Sequence, residues 1–289
     1  MFCPYDLHSH STASDGTLAP AALLRLADEA GVRVLALTDH DSTAGIAEAA
    51  EAAAELAIEL VAGVEISVTW SAQTVHVVGL NVDPANQILQ AGLQTLREFR
   101  DWRAEEIGRR LEKSGVVDAY QGALAHSNGV LISRTHFARL LVERGIVEDE
   151  RKVFKHYLVH GKPGFVPGDW AKLETAIGWI HAAGGQAVVA HPARYRMTRT
   201  KLRRLFAEFR DLGGAAIEVV SGSHSRDDCI SMAKHCADFG LLASAGSDFH
   251  CPENPWIKLG RLPMPAAACR PIWADWQIGA QPPLDRKVG

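Results

Sequence analysis

The chain has 289 residues, of which 47% are hydrophobic and 22% charged, and its formal net charge is -4 at pH 7. This is the composition of a globular protein with no general attraction to nucleic acid, and no stretch approaches the ~18 apolar residues of a membrane span. The start lacks a signal-peptide pattern and the five cysteines form no CxxC pair, so we expect a cytoplasmic protein with reduced thiols.

Strand and helix patterns alternate along most of the chain. A helix at about 20–30 precedes a buried strand at 32–38, a second helix covers 43–57, and two strands follow within 59–80. The same alternation returns over residues 172–250. This order predicts an α/β fold in which helices cover a mainly parallel sheet, either open or closed into a barrel.

The alternation is interrupted between residues 84 and 167, which read as helices with charged faces and contain no clear strand. We therefore expect a barrel or sheet domain formed by residues 1–83 and 168–289. Residues 84–167 are expected to form an inserted helical cap that contributes to substrate binding.

Histidine, aspartate and glutamate residues recur where the expected strands end. In "DLHSHSTASDG" the two histidines alternate along a strand and so share one face. Each such histidine alone has a simple alternative, a solvated or structural side chain. Several strands that deliver ligands to one rim indicate a metal site instead. The nine candidates are His8, His10, Asp15, His40, Glu65, His76, His191, Asp248 and His250.

Imidazole and carboxylate ligands without thiolate favour manganese, iron, zinc or magnesium. Nine ligands are too many for one ion and indicate two or three, with Glu65 as the natural bridge between ions. Clustered divalent ions favour hydrolysis of phosphate esters, because they activate water and neutralise phosphate oxygens together.

Six motifs in this order, "DLHSHSTASDG", "ALTDHD", "GVEIS", "HVVGL", "AHP" and "GSDFH", resemble the polymerase and histidinol phosphatase (PHP) family of metal hydrolases. The resemblance covers nearly the whole chain. It implies a distorted (β/α)7 TIM-like barrel, with the inserted helical segment described above, and two or three divalent ions. Mn²⁺ is the expected ion, and Zn²⁺, Fe²⁺ or Mg²⁺ are the alternatives.

The resemblance also implies how the ligands are shared. One ion would be held by His8, His10, Glu65 and Asp248. A second would be held by the bridging Glu65 with His76 and His191, and a third by Asp15, His40 and His250. Asp15 stands where some relatives have histidine, which makes the third site harder while keeping a ligand there.

The insert segments "ISRTHFARLLVERGIV" and "GKPGFVP" resemble the PHP subgroup that removes the 3′-phosphate from 3′,5′-nucleoside bisphosphates. The implied reaction is a phosphoric monoester hydrolysis, for example of adenosine 3′,5′-bisphosphate to AMP, by a metal-bridging hydroxide. Members of that subgroup also trim short RNA from its 5′ end. The expected partners are small nucleotides and short RNA, with no membrane and no obligatory protein partner.

Three residues near the expected rim are candidates for binding substrate: Arg134, His136 and Arg194. The guanidinium group matches phosphate oxygens in shape and charge. The alternative is that Arg134 and His136 only cap a helix and that Arg194 is a solvated loop residue. The expected catalytic residues are Glu65, Asp248, His191 and His136. Trp170 is expected to pack rather than to stack on a base.

Other activities compete with this hypothesis. Within the family, the chain could be a histidinol-phosphate phosphatase or a 5′→3′ exoribonuclease. A hydrolase of C–N bonds and a non-catalytic accessory domain belong to other classes. The complete ligand set argues against the accessory domain, and the arginines of the insert favour phosphate over a C–N substrate.

Overall fold

The computed structural model of the chain describes residues 2–127 and 131–277. Within these residues seven strands form one sheet whose spatial order follows the chain order. The strands are β1 (Tyr5–Asp6), β2 (Val34–Leu37), β3 (Glu59–Trp70), β4 (Gln73–Leu80), β5 (Gln186–Val189), β6 (Ala216–Ser221) and β7 (Leu242–Gly246).

The first and last strands meet and nearly close the sheet into a barrel. Leu7 N donates to Ala245 O at 2.8 Å, and Asp248 N donates to His8 O at 2.8 Å. Ser9 and Phe249 form a further parallel bridge. The expected α/β barrel is confirmed.

One strand departs from the expected parallel arrangement. β4 pairs antiparallel with both β3 and β5, so that Ser67 lies opposite His76. The β3–β4 turn places Ser71 and Ala72 at φ 49° and 59°, the left-handed region of a two-residue hairpin turn. Because β4 runs in reverse, its first half reaches the rim at which the parallel strands end. His76 thus joins the other ligands from the beginning of a strand.

Helices cover the outside of the barrel and build the insertion. In the described residues they are α1 (Pro20–Glu29), α2 (Ile46–Ala53), α3 (Gln87–Lys113), α4 (Ala119–Ala125), α5 (Arg134–Glu143), α6 (Glu150–Val153), α7 (Leu173–Ala182), α8 (Arg199–Asp211) and α9 (Arg226–Phe239). Local signals explain several ends: Pro20 begins α1, Asn86 caps α3, and Gly240 ends α9 in a left-handed conformation.

The insertion has its own hydrophobic core, to which Phe137, Leu141 and Leu158 belong. Helix α3 takes part in both cores. Its first half packs into the barrel core through residues such as Leu93, and its second half packs into the insertion core through residues such as Ile107. The change from one core to the other therefore falls within α3 rather than at residue 84.

None of the helices in the described ranges combines the length and the apolar character that a membrane crossing requires.

Candidate metal centre

All nine ligand candidates lie together at one rim of the barrel. His8 and His10 follow β1, and Asp15 lies in the loop beyond them. His40 follows β2, while Glu65 and His76 lie within the hairpin strands. The remaining three follow β5 and β7: His191, Asp248 and His250.

Glu65 is the centre of the cluster, and its side chain is fully buried. Its Oε1 lies 2.8 Å from His76 Nδ1 and 3.0 Å from His191 Nε2. These three residues are the set that the family resemblance implies for one ion.

The other oxygen of Glu65 faces a different group. Oε2 lies 2.9 Å from His40 Nδ1 and 3.4 Å from the Nε2 atoms of both His8 and His10. Asp248 Oδ1 completes this side, 3.3 Å from His10 Nε2. Because the two oxygens of one carboxylate face two sets of imidazoles, Glu65 is placed to bridge two ions.

Three groups of ligand atoms are close enough to hold an ion, with all atoms of a group within 4.8 Å of one another. They are His8, His10, Glu65 and Asp248; then His10, Asp15, His40 and His250; and finally His40, Glu65 and His76. The first is the expected set. The second adds His10 to the expected set of Asp15, His40 and His250. The third has His40 in place of the expected His191 beside Glu65 and His76.

Unpaired polar atoms show that the cluster suits a metal. Asp15 Oδ1, Glu65 Oε2, His40 Nδ1 and His191 Nδ1 are buried and accept or donate no hydrogen bond. A buried polar atom without a partner is costly. Four of the six such atoms in the described residues thus belong to candidate ligands, the other two being Asp6 Oδ2 and His235 Nδ1. Hard or borderline divalent ions bind such nitrogen and oxygen donors.

The carboxylates of the cluster are held in the ionised state that metal binding needs. Burial would raise the pKa of Glu65, but His76, His40 and His8 hold it well below its usual range. Burial would also raise the pKa of Asp248, but the neighbouring imidazoles of His8, His10 and His250 hold it well below its usual range.

The imidazoles divide into two types. Burial lowers the pKa of His10 to about 3 and that of His76 to about 4, so both ligand candidates are neutral at pH 7. Burial would also lower the pKa of His250, but Asp15 and Asp248 raise it to about 9. In the metal-free protein, His250 therefore carries a proton that a bound ion would displace.

A buried carboxylate outside the nine candidates holds two of them in place. His8 Nδ1 donates to Glu218 Oε1 at 2.6 Å, and His191 N donates to Glu218 Oε2 at 2.6 Å. The first contact fixes the tautomer of His8 so that Nε2 faces the cluster. The second holds His191 at φ 31°, a strained value for a non-glycine residue. Sequence reasoning missed Glu218, although an acid in the apolar strand β6 was a signal.

A cavity of about 290 Å³ opens on the cluster, and four arginines are also part of its lining. Two of them are paired with carboxylates. Arg100 bonds Asp41 at 2.6 Å, and Arg194 bonds the candidate ligand Asp248.

The other two arginines have no carboxylate partner among the described residues. Arg103 donates only to Val166 O, at 2.8 and 3.1 Å. Burial, together with Arg134 and Arg100, lowers the pKa of Arg103 to about 9. Arg134 lies over the ring of Phe154, 5.5 Å from its centre. Two clustered cations without a carboxylate partner in the described part of the chain favour an anion as the occupant of this part of the cavity.

His136 is placed differently from the expected catalytic and substrate-binding residue. Its Nδ1 accepts a hydrogen bond from Ser133 N at 3.0 Å, and its side chain is almost completely buried. It lies in the first turn of α5 and is absent from the cavity lining, whereas Arg134 is part of it. This geometry matches the alternative, a helix cap, because the imidazole satisfies a free N–H at the helix start.

Trp170 does more than the expected packing. It is nearly buried in the barrel core, yet one face lines the cavity, with Arg100 4.9 Å and Arg103 5.5 Å from its ring centre. Tyr195 also lines the cavity and donates through its hydroxyl to the backbone of His76. Arg100, Arg103 and Tyr195 were not expected, because no local pattern links them to the ligand motifs.

A barrel that gathers imidazole and carboxylate ligands at the rim where its parallel strands end belongs to the class of metal-dependent hydrolases. Comparison with known proteins gives the family. The family model described as "PHP domain" matches residues 6–164 of the chain. The chain belongs to the PHP family.

Individual relatives match over nearly their whole length. A Chromobacterium violaceum protein named 3′,5′-nucleoside bisphosphate phosphatase is 49% identical, covering 97% of this chain and 99% of the relative. A Haemophilus influenzae protein named 5′-3′ exoribonuclease is 46% identical, covering 93% and 97%. The solved structure of an amidohydrolase from Chromobacterium violaceum, with bound sulfate, has a TM-score of 0.91 at 50% identity, covering 94% of this chain and 95% of that one.

Proposed function

We propose that the protein is a metal-dependent phosphatase that removes the 3′-phosphate from 3′,5′-nucleoside bisphosphates. The observation that carries this proposal is that one cavity is lined both by metal-ligand candidates and by Arg103 and Arg134, which have no carboxylate partner among the described residues. A molecule with two phosphates matches two anion sites in one cavity. The similarity to the Chromobacterium violaceum phosphatase supports the same substrate.

The metal-ligand candidates and the arginines have different roles in this proposal. When bound, two or three divalent ions, of which we propose Mn²⁺, would supply an activated water and positive charge at the 3′-phosphate. Glu65, His191 and Asp248 hold the reacting end through the cluster. Arg134, with Arg103 beside it, binds the 5′-phosphate and so fixes which phosphate reaches the ligands.

The reaction products test this orientation. Adenosine 3′,5′-bisphosphate should yield AMP and phosphate in the presence of Mn²⁺, and AMP itself should be a poor substrate. Chromatography of the nucleotide product, together with a phosphate-release assay, measures both. Release of adenosine 3′-phosphate instead would show that the substrate lies reversed in the cavity.

The selectivity test is Arg134→Ala. A hydrogen bond to a charged group contributes about 1.5–3 kcal/mol, which corresponds to a roughly 10- to 100-fold effect at ~1.4 kcal/mol per decade. We expect kcat/KM for the bisphosphate to fall by that factor, while metal content and hydrolysis of a single-phosphate substrate stay nearly unchanged. Arg25→Ala, on the exposed surface of α1, is the matched control. Equal losses on both substrates would mean that Arg134 supports the fold or the reacting phosphate.

A second candidate function is 5′→3′ exoribonuclease activity on short RNA. It is favoured by the 46% identity to the Haemophilus influenzae exoribonuclease, which is close to that of the phosphatase relative. Comparing kcat/KM for adenosine 3′,5′-bisphosphate and for RNA oligomers of two to eight nucleotides would rank the two activities.

A further inference from the structure

Helix α5 of the insertion contacts the metal centre at Asp15. The first turn of α5 presents two hydroxyls to this carboxylate: Ser133 Oγ donates to Asp15 Oδ2 at 2.9 Å, and Thr135 Oγ1 donates to the same oxygen at 3.0 Å. Arg139, one turn further along, donates to Asp15 O at 2.6 Å. Side chain and backbone of Asp15 are thus both bonded to one helix of the insertion.

These contacts give the two oxygens of the Asp15 carboxylate different roles. Oδ2 is occupied by the two hydroxyls. Oδ1 is buried, makes no hydrogen bond, and lies 3.3 Å from His250 Nε2 and 3.9 Å from His40 Nε2. Since rotation of the carboxylate would break both hydroxyl contacts, Ser133 and Thr135 fix Oδ1 toward the imidazoles.

We infer that Ser133 and Thr135 are positioning residues for the ion held by Asp15, His40 and His250, and that they couple binding of this ion to docking of the insertion. The inference rests on the metal centre of the proposed function. It adds that the third ion site is incomplete without α5, although no residue of the insertion is itself a ligand candidate.

The coupling extends to the proposed substrate-binding residue Arg134, because Arg134 lies between Ser133 and Thr135 in the chain. Ser133 Oγ also accepts a hydrogen bond from Thr135 N at 3.0 Å. The turn that carries Arg134 is therefore held by this internal hydrogen bond as well as by the contacts with Asp15. Binding energies linked in this way are reciprocal: whatever factor docking adds to the affinity for the ion, the ion adds to docking.

The test is the double variant Ser133→Ala/Thr135→Val, with Mn²⁺ alone as the probe. Equilibrium dialysis against graded free Mn²⁺ measures the number and affinity of bound ions. Loss of a ligand's outer hydrogen-bond partners weakens metal binding by about 10- to 100-fold, so the variant should bind one ion that much more weakly. The matched control is Thr95→Val/Ser114→Ala, whose hydroxyls donate to backbone carbonyls of α3, and it should bind as the wild type does.

Rescue separates positioning from a general structural role. Ser133→Ala/Thr135→Ser restores one hydroxyl without the methyl group and should recover most of the lost affinity. Thermal unfolding of the metal-free variants checks that they fold. Should the double variant fail to fold, the single variants Ser133→Ala and Thr135→Val decide, because each leaves one donor on Asp15 Oδ2.

Hydrogen exchange gives the reciprocal readout. In the wild type, amides of α5 should exchange more slowly once Mn²⁺ is bound, and the double variant should lose this protection. The inference would be overturned if the double variant bound Mn²⁺ with unchanged affinity. It would also be overturned if the amide exchange rates of α5 in the wild type did not change on Mn²⁺ binding. Either result would leave the metal centre intact. A wild type that binds fewer than three ions at saturation would overturn the inference, which needs the third ion, while the proposed function with two ions would stand.

Discussion

Glu65→Gln should cause the largest loss of activity of any single substitution at the rim. The amide keeps the shape of the side chain but removes the charge that both halves of the cluster share, at 2.8 Å from His76 and 2.9 Å from His40. The ions that this charge would hold supply several kcal/mol of transition-state stabilisation, of which we expect about 3–5 kcal/mol to be lost. At ~1.4 kcal/mol per decade this is a roughly 100- to 4000-fold fall in kcat/KM.

Metal content separates this effect from a local change in chemistry. Since Glu65 faces two groups of ligands, elemental analysis of Glu65→Gln after dialysis should show a loss of more than one ion per chain. Glu55→Gln, on the exposed surface beyond α2, should keep full content and activity. Turnover by a wild-type protein freed of metal would contradict the whole metal-centre proposal.

Glu218→Gln should weaken metal binding although Glu218 is not a ligand candidate. The carboxylate accepts from His8 Nδ1 and from His191 N, each at 2.6 Å, and an amide offers only one acceptor for the two donors. Loss of such an outer partner lowers metal affinity by about 10- to 100-fold. An unsatisfied buried donor costs a further ~1–3 kcal/mol of folding free energy.

Two measurements check the Glu218 prediction: Mn²⁺ affinity by equilibrium dialysis, and thermal unfolding of the metal-free protein. Glu174→Gln, exposed on α7, is the control and should change neither. Wild-type affinity in Glu218→Gln would show that the His8 tautomer and the His191 backbone are held without this carboxylate.

The ligand candidates could be located from sequence because most of them follow or lie in short, recognisable strands. The strand ends meet at one rim of the barrel, so residues that are far apart in the chain but lie near strand ends come close together in space. The direction of β4 could not be predicted in the same way. Its turn, Ser71 and Ala72, lacks the glycine or asparagine that usually marks a two-residue hairpin.

Residues that act through contacts between distant elements were harder to predict. Glu218 reaches His8 across 210 positions in the chain, and Arg103 reaches the cavity from a helix without any ligand motif. The role of His136 could not be decided from sequence either. A histidine beside a phosphate-binding candidate indicated chemistry, whereas the start of α5 uses it to satisfy the backbone of Ser133.

Helix α3 bears on how such a protein can change over evolution. It runs unbroken for 27 residues, about 40 Å, and supplies apolar side chains to both cores. Arg100 and Arg103 lie where it passes from one core to the other. Exchange of the insertion at residue 84 would remove Leu89 and Leu93 from the barrel core as well. The insertion is therefore not a module that can be transferred at residue 84, and an exchange that preserves the barrel core must keep this helix continuous.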